Sequence, residues 1–244
     1  MRPLIDAMIQ ARVGSTRLPG KVLLPLGNAT TLGTMIERVK RARSLGRVIV
    51  LTTELAEDDA VAGVARDHGV AVFRGATHDV LARYHDAAVR YGSDAVVRLT
   101  GDCPFMDPAL IDAMVRLFAV NWPRMGVLTN CYHRTYARGL DIEILSRDVV
   151  ETLHARCREP QQREHVVPYL EEHPAEFAFF EYPNAADDSW CRVTLDTPAD
   201  YETIATVYAA FGHDRFSYGE LMDVLRRRPE LLRNRDVVHK AYRS

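Results

Sequence analysis

LIDAMIQARVGSTRLPGK, residues 4–21, sets a short apolar run directly before a loop carrying Arg12, Arg17 and Lys21 together with Gly14 and Gly20. Leu4 to Gln10 reads as a buried strand. After the glycine- and proline-punctuated loop, a helical spacing begins at Leu32 and continues through Met35, Ile36, Val39 and Ala42. The alternation then repeats. An apolar run from Arg47 to Leu51 precedes a helix from Asp58 to His68, a strand from Val70 to Phe73, and a helix with Val80, Leu81, Tyr84, Ala87, Ala88 and Tyr91 on one face. Ala95 to Leu99 follows, then a helix capped by Asp107 with Pro108 at its first position. This series predicts an α/β fold: a mostly parallel, Rossmann-like sheet with helices on both faces. Ligands of open sheets bind beyond the carboxyl ends of the strands, which directs attention to the loops after Gln10, Leu51, Phe73 and Leu99.

From residue 130 the pattern loses regularity. A strand is expected at Leu140 to Leu145, helices at Arg147 to Cys157 and Gln161 to Glu172, and a strand at Phe177 to Tyr182. A strand at Arg192 to Leu195, a helix opened by Thr197 and Pro198, and a helix from Ser217 to Arg227 return to the core. The expected organisation is a nucleotide-binding core at 1–129, a small inserted lid with acceptor or dimer contacts at 130–190, and a return to the core at 191–244.

Composition narrows the function classes. In 244 residues, 47% hydrophobic and 26% charged, the chain has the makeup of a folded protein rather than a disordered one. A net charge of -2 supplies no general attraction to nucleic acid. Neither a secretory signal nor a membrane span is apparent, so a cytoplasmic protein is expected. Cys103, Cys131, Cys157 and Cys191 are scattered, as reduced thiols would be, and the histidines lack zinc-site spacing.

The segment ARVGSTRLPGK, residues 11–21, has the makeup of a phosphate cradle: glycines that turn backbone amides toward an anion, and three cations that add charge-assisted hydrogen bonds. It is not a Walker loop, because five residues separate Gly14 from Gly20-Lys21 and Val22 stands where Ser or Thr is required. The G-x-G-x-x-G dinucleotide fingerprint is absent too.

This loop resembles the signature of the cytidylyltransferase superfamily that includes CMP-Kdo and CMP-acylneuraminate synthetases, and within it the spore-coat polysaccharide branch. The likeness continues in order through RGATHDVLARY (74–84), RLTGDCP (98–104), RGLDIE (138–143), REHVVPY (163–169) and LDTPADY (195–201). It implies a nucleotide-diphospho-sugar transferase fold of GT-A type and a homodimer. It also implies nucleotide contacts from Ala11, Arg12, Gly14, Ser15, Arg17, Lys21, Arg74 and Thr100.

Asp102 follows the apolar strand at Ala95 to Leu99, where a carboxylate protrudes toward the phosphate loop, and Asp196 ends a late strand. Magnesium takes oxygen ligands, one or two of them carboxylates, with waters and substrate phosphates completing the shell. The resemblance assigns the catalytic Mg2+ to these same two positions. For Asp196 the alternative is a role at the start of the next helix, where an acid suits the dipole. Asp79 is expected to cap the helix at Val80. Asp141 and Glu143 alternate with Leu140, Ile142 and Ile144, which fits one solvated strand face, whereas the resemblance gives Arg138, Asp141 and Glu143 a substrate-side role. Arg98, Arg163 and His165 are further substrate candidates, with structural pairing as the alternative for Arg98 and His165.

The implied reaction joins CMP from CTP to a small hydroxylated acid or sugar and releases pyrophosphate, with Arg12, Lys21 and Asp102 as the catalytic set. Transfer to a phosphorylated sugar or phosphonate, a glycosyltransferase and a non-catalytic nucleotide-binding protein are the alternatives. A glycosyltransferase would carry D-x-D where this chain has T-G-D-C, residues 100–103.

Overall fold

Along β1 (Ile5–Gln10) the side chains alternate between two cores, with Ile5, Ala7 and Ile9 in one and Met8 in the other. The same division separates Val50 from Ile49 and Leu51, and Val97 from Val96. A strand buried on both faces must be covered by helices on both. The computed structural model, which describes residues 2–237, supplies them.

After β1 the chain forms a hairpin of β2 (Pro25–Leu26) and β3 (Ala29–Thr30), then α1 (Thr31–Val39), β4 (Val48–Thr53), α2 (Asp59–Asp67) and β5 (Ala71–Gly75). Next come α3 (Val80–Tyr91), β6 (Ala95–Thr100), α4 (Pro108–Val120), β7 (Val127–Thr129) and β8 (Glu143–Ser146). Three helices follow, α5 (Arg147–Arg156), α6 (Pro160–His165) and α7 (Pro168–Glu172), then β9 (Phe179–Glu181), α8 (Pro198–Phe211) and α9 (Tyr218–Arg227). Apolar side chains of α1, α4, α8 and α9 fill the first core, and those of α3 and α5 fill the second.

Among the described residues, seven strands form one sheet in the order β5-β4-β1-β6-β8-β7-β9, with β8 antiparallel to its neighbours β6 and β7. The mostly parallel α/β fold expected from the sequence is therefore present. β1 pairs in parallel with β4 on one side and β6 on the other, so the chain order reverses at its carboxyl end. That is where a doubly wound sheet opens a crevice. Sequence segment 130–190, expected as an insertion, hydrogen-bonds into this same sheet through β8 and β9.

Several local expectations need correction. Arg192 to Leu195 is not a strand, apart from one parallel bridge between Arg138 and Arg192. Its backbone bonds are divided between two neighbours, Val193 N–H to the Arg138 carbonyl and Leu195 N–H to the Asp102 carbonyl. The expected strand at Leu140 starts only at Glu143, because the Asn130 side-chain amide takes over the Leu140 carbonyl and the Ile142 N–H. Asp141 thus lies outside the strand, and Glu143 is buried rather than on a solvated face. The expected helix from Gln161 to Glu172 is broken at Val166, whose φ is 69°. There the Val167 N–H bonds back to the His165 carbonyl in a γ-turn, and Pro168, with no N–H to continue a ladder, opens α7.

Candidate active site

The phosphate loop leaves β1 and is fixed from both sides. The buried Asp58 carboxylate accepts the Val13 N–H at 2.7 Å and also bonds the Thr53 hydroxyl. Gly20, at φ 68°, accepts the left-handed conformation that returns the chain to Lys21, and its N–H closes the loop on the Val13 carbonyl at 3.0 Å. Gly14 keeps a negative or extended φ and lines the cleft. At the end of β6, Gly101 packs on the start of the loop so closely that a Cβ would lie 2.9 Å from the Ala11 Cβ and 3.0 Å from the Gln10 carbonyl oxygen. This approach sets Asp102 opposite Lys21.

Lys21 Nζ lies 2.6 Å from Asp102 Oδ2 and 2.8 Å from Asp196 Oδ1. Arg17 reaches the same Asp196 oxygen at 2.8 Å, and Arg192 holds Asp196 Oδ2 at 2.9 Å while also pairing with Asp200. Asp200 closes the capping box of α8 with Thr197, which leaves Asp196 free of the helix start and turned to the cations. Burial pulls the Lys21 pKa down, yet Asp102 and Asp196 more than offset it and hold the ammonium above its ordinary value. Burial raises both carboxylates, and Lys21 overrides it, so both lie below the usual range and are ionised. Two anionic oxygens aimed at one cation are a donor set that suits a hard divalent metal, with waters and phosphate oxygens for the rest. No third His, Cys, Asp or Glu joins them among the described residues.

The cleft around this centre has a volume of about 650 Å³, within the usual range for small-ligand sites. Ala11, Arg12, Gly14, Ser15, Arg17, Lys21, Thr100 and Asp102 line it beside the 11–21 loop, and Arg98, Arg138, Asp141, Glu143 and His165 line it as well. Arg12 crosses the cleft to Glu164 of α6 at 2.8 Å. Arg98 pairs with Glu143 at 2.9 Å and also donates to the His165 carbonyl at 3.1 Å. Asp141 receives both guanidinium nitrogens of Arg134, which override burial and hold its pKa low. Arg138 has no ion pair among the described residues; burial, with Arg134 and Arg192 nearby, lowers its pKa. Burial, with Arg98 close by, likewise lowers the His165 pKa and favours the neutral ring.

Two expected site residues are used elsewhere. Arg74 turns to the carbonyls of Thr53 and Leu55 and pairs with Asp59, because β5 ends beside the start of α2. Arg163 pairs with Asp79 at 2.6 Å and ties α6 to α3, while Asp79 also caps α3 as expected. Sequence reading passed over Glu164, Arg83, Arg134 and Arg192, all of which line the cleft. Glu164 lay in plain view between Arg163 and His165. The others carry no local pattern, since their partners are set by tertiary contact.

Comparison with known proteins shows the family and the fold. Residues 7–225 match the family described as Cytidylyltransferase. A solved cytidylyltransferase from Leptospira borgpetersenii serovar Hardjo-bovis superposes with a TM-score of 0.93 at 48% identity, over 96% of this chain and 99% of that one. The spore coat polysaccharide biosynthesis protein SpsF of Bacillus subtilis is 32% identical over 237 residues, 94% of this chain and 97% of SpsF. The fold alone is shared with a CMP:2-keto-3-deoxy-manno-octonic acid synthetase solved with CTP, with a TM-score of 0.66 at 18% identity over 85% of this chain and 99% of that one.

Proposed function

This chain belongs to the cytidylyltransferase family and is a nucleotidyltransferase, and from that premise we propose that it transfers CMP from CTP to a hydroxyl of a small sugar acid, with magnesium held by Asp102 and Asp196. The observation that carries this reading is the convergence of the two carboxylates on Lys21 at the mouth of a loop with two further cations. The likeness to SpsF supports a product destined for a surface polysaccharide.

In the proposed reaction the acceptor oxygen forms a bond to the α-phosphorus, the bond from that phosphorus to the bridging oxygen breaks, and pyrophosphate leaves. The hydroxyl proton passes to water. Positioning and charge neutralisation dominate such transfers. Arg12, Arg17 and Lys21 receive the β- and γ-phosphates and neutralise the leaving group as charge builds on it. Magnesium bound at the carboxylates polarises phosphate oxygens. Arg138, lining the far end of the cleft without a carboxylate of its own, suits the acid group of the acceptor.

Pyrophosphate release measured with each of the four ribonucleoside triphosphates over a panel of sugar acids and neutral sugars tests the reading. The expected result is turnover with CTP and an acid acceptor. Equal turnover with all four nucleotides, or none with any acid, overturns it.

A further inference from the structure

Lys21 stands where a divalent cation would stand. Its ammonium nitrogen contacts Asp102 Oδ2 and Asp196 Oδ1 together, and all three side chains are mostly withdrawn from solvent, at 13%, 21% and 12% exposed. Asp196 has Arg17 and Arg192 besides, whereas among the described residues Lys21 is the cation paired with Asp102. We propose that Lys21 is a placeholder for the metal, and that its displacement onto the triphosphate makes metal and nucleotide bind together and each bind poorly alone. This rests on the metal site proposed above.

The argument is one of charge. A metal arriving by itself must expel an ammonium already seated 2.6 Å from its ligand, and the expelled group stays beside a dication in a half-enclosed cleft. Nucleotide arriving by itself draws Lys21 toward its phosphates and strips Asp102 of its cation, leaving carboxylates facing a polyanion. When both arrive, the four-carbon stem lets the ammonium swing to a phosphate oxygen while the metal takes its former place, and every charge keeps an opposite neighbour. Coupling of this kind is reciprocal, and its usual size is about 5- to 150-fold in affinity.

The test measures Mn2+ binding, followed by the EPR signal of the free ion, for the parent, Lys21→Met and Lys21→Arg, each with and without a CTP analogue carrying a methylene bridge between its α- and β-phosphorus. Without nucleotide, Lys21→Met is expected to bind Mn2+ about tenfold or more tightly than the parent, and Lys21→Arg to resemble the parent. The analogue should tighten Mn2+ binding in the parent and do so much less in Lys21→Met. If Lys21→Met does not fold in the absence of metal, Lys21→Gln, which keeps a donor without the charge, carries the same expectation. Binding in the neutral variant no tighter than in the parent overturns the proposal. Adding Asp102→Asn to Lys21→Met separates the two readings. Loss of Mn2+ in the double variant upholds the metal site whatever Lys21 does, and retention removes the metal site itself.

Discussion

At the end of the cleft formed by the 11–21 loop, Lys21, Arg17 and Arg12 meet Asp102, Asp196 and Glu164 across an open gap, whereas at the other end Arg98 meets Glu143 and Arg134 meets Asp141 within one wall. Arg98 and Glu143 sit opposite each other on paired strands and are only 9% and 8% exposed, while Arg12 and Glu164 are 34% and 31% exposed and come from segments far apart in the chain. The same residue types do different work. Of the pairs that span the gap, Arg12 with Glu164 is partly solvated and can trade its carboxylate for another anion at little cost, whereas Lys21 with Asp102 and Asp196 is mostly withdrawn from solvent. Inside the wall, Arg98 and Glu143 are desolvated and fix its shape, while Asp141 beside Arg134 keeps 31% of its side chain exposed.

The contrast is broken most sharply by removing one partner from each kind of pair. Arg98→Met leaves Glu143 buried without its cation, and the expected loss of stability is about 3–5 kcal/mol, read from denaturant unfolding. A loss under 1 kcal/mol would mean that the wall pair is as exchangeable as the gap pairs. Arg12→Met should change stability by no more than about 1 kcal/mol, since its pair is partly exposed. Its effect should fall on ligand binding instead, with CTP affinity reduced by about 10- to 100-fold in calorimetry, as expected when one charge-assisted contact is lost. Unchanged affinity would place the triphosphate elsewhere.

How much of this was legible in the sequence follows the same division. The phosphate loop could be read because its cations and glycines lie within eleven consecutive residues, 11–21, and because the strand before it and the helix after it have clear periods. Asp102 could be placed because it follows the apolar run 95–99, whereas Asp196 was placed by the resemblance and by a strand at 192–195 that does not form. The wall at the other end could not be drawn in the same way. β7 and β9 have three residues each, too few to show a period, and Asn130 replaces strand pairing at Leu140 and Ile142 with its own amide. Arg74 and Arg163 had suitable positions in the sequence, but whether an arginine faces a cleft or a neighbouring carboxylate depends on what folds against it. Asp59 and Asp79 decided those two cases.

The central claim is that Asp102 and Asp196 form a charged centre for nucleotidyl transfer, and Asp102→Asn tests it most directly. The exchange keeps the shape of the side chain and the turn tolerance of the residue while removing the anionic charge that faces Lys21. Pyrophosphate release from CTP, measured beside the parent at limiting magnesium and with thermal unfolding as the control, is expected to fall by about 1000-fold, or ~4 kcal/mol, with the fold retained. Near-parental turnover in a folded Asp102→Asn protein would contradict the account.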